Sequence, residues 1–143
     1  MPYHSVSRST AEDLFIELFA DTFGAEKAGY LYSQYPFCDI YQNYRFADFV
    51  IENGTRRVVI EIDDEASHNK SVISQSKYYD DLLKQNSMIY LGWDVYRWAM
   101  RQLQTQPDTV KDELRVFLGT HPRFKKLRTI CPIRGANPLM HKT

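Results

Sequence analysis

The chain predicts an α/β domain: a helix, a three-stranded and mostly antiparallel meander, a long helix, a fourth strand, and an extra helix toward the C-terminus. Three observations carry this expectation. Asn53-Gly54 separates two runs of alternating residues, the strongest short-range hairpin signal. Helical spacing of apolar residues before Gly24 and before Gly92 marks two helices with glycine stops. The short β-prone run WDVYRW, Trp93 to Trp98, is reached through the second of these helices, so a parallel crossover onto the sheet is natural.

At 143 residues the chain is long enough for one ordinary core, and 43% apolar with 25% charged residues places it among globular rather than disordered sequences. We expect one domain over 1–119 and a tail or linker over 120–143.

The first eight residues are polar, and His4 among them reads as an exposed bystander. Ser9-Thr10-Ala11-Glu12 has capping-box spacing, with Ser9 as N-cap and Glu12 three positions on. The helix that follows should bury Leu14, Phe15, Leu18, Phe19 and Thr22 and stop at Gly24. Glu17 borders that stripe. Such a residue is ordinarily solvated, yet by this reading Glu17 is the acid of the helix best placed to reach a neighbouring site. Ala25 to Tyr35 is expected as a second helix, weakened by Gly29 and ended by Pro36. Phe37 to Tyr41 is expected as the first strand, with Gln42-Asn43 turning the chain into the hairpin.

The hairpin, Tyr44 to Asp63, carries the chemistry. A two-residue turn at Asn53-Gly54 makes Glu52 face Thr55 and Asp48 face Val59. Alternation then puts Ala47, Phe49, Ile51, Val58, Ile60 and Ile62 on one apolar face. Phe46, Asp48, Val50, Arg57, Val59, Glu61 and Asp63 take the other. Asp48 and Glu61 become diagonal neighbours, roughly 7–8 Å apart at Cα. Carboxylates at that separation can lean onto one divalent cation. A half-buried hairpin with a solvated acidic face is the commoner meaning of such a pattern. Packing requires no such cluster, however, and Asp64, Glu65 and His68 extend it just where the strand must stop.

Val72 to Leu91 should be the long helix, with Tyr79, Leu82, Leu83, Asn86 and Tyr90 on one side. Lys77, Asp81, Lys84 and Met88 share another side, which reads either as an exposed ion-pair stripe or as a set that hangs Lys84 over the acids. After the fourth strand, Met100 to Gln106 reads as a short helix. PDTVKDELRVFL, from Pro107, reads as another, with Gly119 as its stop. Arg123, Lys125, Lys126 and Arg128 beyond it are a basic cluster that suits a solvated linker or a phosphate-contacting strip.

Net charge is zero, which is unusual for a free-standing nucleic-acid binder and requires the gripping charge to be local or supplied by a linked domain. The two cysteines, Cys38 and Cys131, have no metal-ligand spacing and suggest reduced thiols and a cytoplasmic protein. No membrane span or secretion signal is evident.

The order of elements and the acids resemble the PD-(D/E)XK, or restriction-endonuclease-like, superfamily. The closer resemblance is to its very-short-patch-repair-like branch. The matching residues are Ala47-Asp48-Phe49, Ile60-Glu61-Ile62-Asp63, His68, Asp81-Leu82-Leu83-Lys84 and Gly92-Trp93-Asp94-Val95-Tyr96-Arg97, so the resemblance covers about residues 44–98. Asp64 stands where that branch usually has glycine, and Asp63 stands where the superfamily motif usually has lysine. The resemblance implies a Mg²⁺- or Mn²⁺-dependent DNA endonuclease domain of bacterial defence or repair, of the kind found fused to a helicase. Asp48, Glu61 and the Ile62 carbonyl would hold the metal, and Asp63 would hold a second ion or orient water. His68 would act as general acid or base, and Lys84 would stand in for the missing lysine, with His68 as second candidate. The alternative is a nuclease-like module that binds nucleic acid or a partner without turnover.

Overall fold

A computed structural model describes residues 10–64, 74–120 and 128–133. Its elements run α1 (Thr10–Phe23), α2 (Ala25–Ala28), β1 (Tyr32–Cys38), β2 (Tyr44–Asn53), β3 (Arg56–Asp63), α3 (Gln75–Tyr90), β4 (Asp94–Ala99), α4 (Met100–Thr105), α5 (Pro107–Phe117) and β5 (Ile130–Cys131). The fold is α/β with a mixed sheet. β1, β2 and β3 form an antiparallel meander, β4 joins β3 in parallel, and β5 pairs with the far end of β2.

Each face of the sheet buries a cluster. Phe49, Ile51, Val58, Ile60 and Ile62 pack with Phe15, Leu18 and Phe19 of α1, Leu103 of α4, and Val110 and Leu114 of α5. On the opposite side Val50 and Val59 pack with Phe37, Met88 of α3 and Ile133. Ile130 and Ile133 therefore belong to the two cores, and the segment expected as a tail contributes a strand to the domain.

Four expectations are corrected. The helix expected over 25–35 ends at Ala28, and β1 begins at Tyr32. Pro36, which would have ended a helix, is tolerated because β1 is the sheet's edge, where a missing N–H leaves no ladder gap on the open side. The next turn is made by Asp39, whose Oδ1 accepts from the N–H groups of Tyr41 and Asn43.

The hairpin turn is Gly54-Thr55, with Asn53 paired to Arg56. Gly54 has φ +70° and Thr55 stays at negative φ, the pattern of a type II′ rather than a type I′ turn. Asn53 is drawn into the strand because its side chain is buried and donates to the Leu118 carbonyl at 2.8 Å. The register shifts by two residues, which preserves side-chain faces.

Ala47 nevertheless leaves the face it was expected to share with Phe49. Tyr32 and Tyr35 of β1, and Ala47 and Val50 of β2, all join the second cluster, although the members of each pair are an odd number of positions apart. Alternation is therefore broken in both strands. The break falls at Gln34, which has φ +54° and which the register brings opposite Asp48.

The fourth correction concerns α3, which presents its other side to the sheet. Tyr79, Leu82 and Tyr90, expected together on one side of the helix, are exposed, while Met88 is 1% exposed. Charges decide the orientation. Arg45 meets Asp80, Lys84 meets Glu61 and Arg97 meets Asp81, so the helix is held to the sheet by its polar side.

Candidate active site

The site forms where β2 and β3 stop pairing. Their ladder is continuous from Asn53↔Arg56 to Phe49↔Ile60. One step further, the carboxylates replace backbone acceptors. The Asp48 N–H donates to Glu61 Oε2 at 2.8 Å, and the Ile62 N–H donates to Asp48 Oδ2 at 2.9 Å. The two side chains thus tie the strands together where the backbone ladder ends. The ladder's continuation sets Asp48 directly opposite Glu61, closer than the diagonal relation expected.

Lys84 of α3 completes the group, its Nζ 2.9 Å from Glu61 Oε1 with both side chains largely buried. The Asp48 carboxyl is pushed up to about 7, first by burial and next by the charge of Glu61; the Ile62 N–H and Lys84 act the other way. Burial first, and then the Glu61 charge, outweigh the Lys84 ammonium, so the net shift at Asp48 is upward.

A further acid contributes to it. Glu12 of α1 is 6% exposed, and its Oε2 accepts from the Gln34 amide. Its charge also works to raise Asp48. Glu12, not the expected Glu17, is therefore the acid that α1 turns toward the sheet; Glu17 is exposed. The signal was present in the sequence, since Glu12 lies three and seven residues before Phe15 and Phe19 and so shares their face. Its capping-box position drew the reading elsewhere.

Asp63 stands apart from the pair. Its Oδ1 accepts from Arg97 at 2.8 Å, and the same nitrogen reaches Asp81 at 3.0 Å. Burial works against the Arg97 charge, but Asp63 and Asp81 outweigh it and hold the guanidinium above its ordinary value. Asp63, expected to hold a second ion or orient water, is engaged in this bridge instead. His68 and Glu65 lie outside the described residues. Lys77 is exposed.

Among the described residues, no three metal-ligating side chains of the His, Cys, Asp and Glu types converge. Asp48 and Glu61 are a pair, and their chemistry suits a hard cation that takes few protein ligands and keeps several waters, as Mg²⁺ does. Both cysteines are free thiols, and no described helix is long and apolar enough to cross a membrane.

No family model, curated protein or solved structure matches the chain.

Proposed function

We propose that this chain is a metal-dependent endonuclease domain hydrolysing phosphodiester bonds in DNA, on a restriction-endonuclease-like core. One observation carries the reading: Asp48 and Glu61 meet at a break in the β2–β3 ladder with Lys84 beside them. Asp48 and Glu61 would hold a divalent cation with the Ile62 carbonyl as a further ligand. When bound, that cation offsets phosphate charge and lowers the pKa of a coordinated water. Hydrolysis adds the water oxygen to phosphorus and releases one ester oxygen as an alcohol. Lys84 steadies the charge that gathers on the transferring phosphoryl, and the Ile62 N–H fixes the Asp48 carboxylate. A role in bacterial defence or repair beside a helicase fits the neutral net charge, because a linked domain would then grip the nucleic acid.

A second reading is a module that binds nucleic acid or a partner without turnover. The Lys84–Glu61 ion pair favours it, since an ammonium there stands where a cation would otherwise compensate the acids. Supercoiled-plasmid nicking in Mg²⁺ or Mn²⁺ separates the two. The nuclease reading expects nicking that EDTA stops and that Asp48→Asn and Glu61→Gln each reduce by at least a hundredfold. DNA binding that EDTA leaves unchanged, with no nicking in any metal, supports the second.

A further inference from the structure

Helix α3 faces the sheet with its charges and the solvent with its apolar residues. Asp80, Asp81 and Lys84 turn to Arg45, Arg97 and Glu61. Lys77 shares their side, four and seven residues before Asp81 and Lys84. The outer stripe carries Tyr78 and Tyr79, each 56% exposed, with Leu82 at 38%, Ile89 at 51% and Tyr90 at 80%. Within it only Gln75 and Asn86 are polar. An amphipathic helix ordinarily buries such a stripe, and a contiguous exposed apolar patch marks an interaction surface. Past the end of the helix the patch runs into an open groove of about 960 Å³ between α3 and the β1–β2 turn, lined among others by Phe37, Ile40, Tyr90 and Leu91. The Ile40 N–H donates to Ser87 Oγ at 3.2 Å, which fixes the turn against the helix.

We infer that this stripe binds a second copy of the chain with the two α3 helices antiparallel, so that Tyr78 and Tyr79 of each copy enter the groove at Tyr90 and Leu91 of the other. The inference goes beyond the nuclease reading and holds whether or not the chain cuts DNA. Area, shape and charge favour this occupant. At roughly 150–250 Å² per large side chain, the exposed fractions on α3, with Ile40 at 51% and Leu91 at 46%, amount to on the order of 700 Å². That is close to the roughly 800 Å² per side of a stable interface. The surface also complements itself, because rings stand out at the N-terminal end of the stripe and the groove opens at its C-terminal end. A two-fold axis across the helix brings both ring pairs to both grooves, and the contact closes as a dimer. Finally, the stripe is uncharged and the chain's net charge is zero, so two copies meet without repulsion. A strongly acidic or basic partner would find no counter-charge on the stripe.

Sedimentation equilibrium of the full chain, from about 1 to about 200 µM, should show a monomer whose mass doubles as concentration rises, with a micromolar dissociation constant. Tyr79→Lys and Tyr90→Glu each place a charge in the stripe and should each weaken association about tenfold or more. Mixed in equal amounts, the two variants should recover most of it, because the antiparallel contact sets the introduced cation beside the introduced anion. Both side chains are exposed. In dilute, monomeric protein each variant should therefore keep the wild-type unfolding midpoint, which separates lost association from lost fold. A wild-type chain that stays monomeric throughout the range overturns the inference and assigns the stripe to another segment of the chain or to a different protein. A dimer that neither substitution weakens overturns it as well. So does a dimer that both substitutions weaken and the mixture does not restore.

Discussion

Asp48 is the residue on which the electrostatics converge. It is charged at neutral pH only against burial and the Glu61 carboxylate, which together bring its carboxyl to about 7 from 3.8. Between these values the folded protein holds a proton that the unfolded chain releases, so rising pH favours unfolding across that window. Metal-free protein should therefore lose several degrees of melting temperature from pH 5 to pH 8, and Asp48→Asn should flatten that slope. The lowered carboxyls of Asp80 and Asp94 act only at the acidic end, below about pH 4. Calorimetry across pH in EDTA checks this. Lys84 acts on the same balance. Lys84→Met removes the ammonium from Glu61 and should lower nicking about a hundredfold, the usual cost of one charge-stabilising group. The pH slope of the melting temperature should steepen with it, which a loss of packing alone would not do.

At the scale of elements, orientation was the part least legible in the sequence. The strand alternation and the Asn53-Gly54 signal located the hairpin and brought Asp48 and Glu61 together. A two-residue register shift did not disturb that, because the side-chain period is also two. The break at Gln34 and Asp48 could not be read, because it depends on a left-handed backbone at a residue with no glycine-like signature. Helix α3 was misread for a different reason. Its apolar residues have helical spacing, but the sheet face it meets carries Arg45, Glu61, Asp63 and Arg97, so ion pairs with α3 decide which side turns inward. Hence Tyr79→Ser and Leu82→Gln should change stability by no more than about 0.5 kcal/mol, while Met88→Ala should cost about 2–5 kcal/mol. Chemical denaturation of the three variants measures both. The link between the hairpin and α5 runs through Asn53. Asn53→Ala leaves the Leu118 carbonyl without its buried donor and should cost about 1–3 kcal/mol.

For the whole molecule, the sheet serves two purposes that divide along its strands. The middle of β2 and β3 anchors the cores on both faces. Beyond Phe49 and Ile60 the same strands part, and the gap holds carboxylates instead of a continued ladder. Helices from opposite layers supply the rest of the site, Glu12 from α1 and Lys84 from α3. The sequence offered Lys84 as one of two readings of a charged stripe and, through the family resemblance, as the stand-in for the missing lysine, but it hid Glu12 inside a cap motif. If the gap is a cation site, the divalent ion should bind and the DNA should be cut at the same place. The most direct measurement pairs Mn²⁺ binding, followed by its electron paramagnetic resonance signal, with plasmid nicking in the same samples. Both should saturate over one Mn²⁺ range, and both should vanish in Asp48→Asn. Nicking that continues at full rate in Asp48→Asn protein, or that ignores EDTA, would contradict the assignment of Asp48 and Glu61 as the reacting centre.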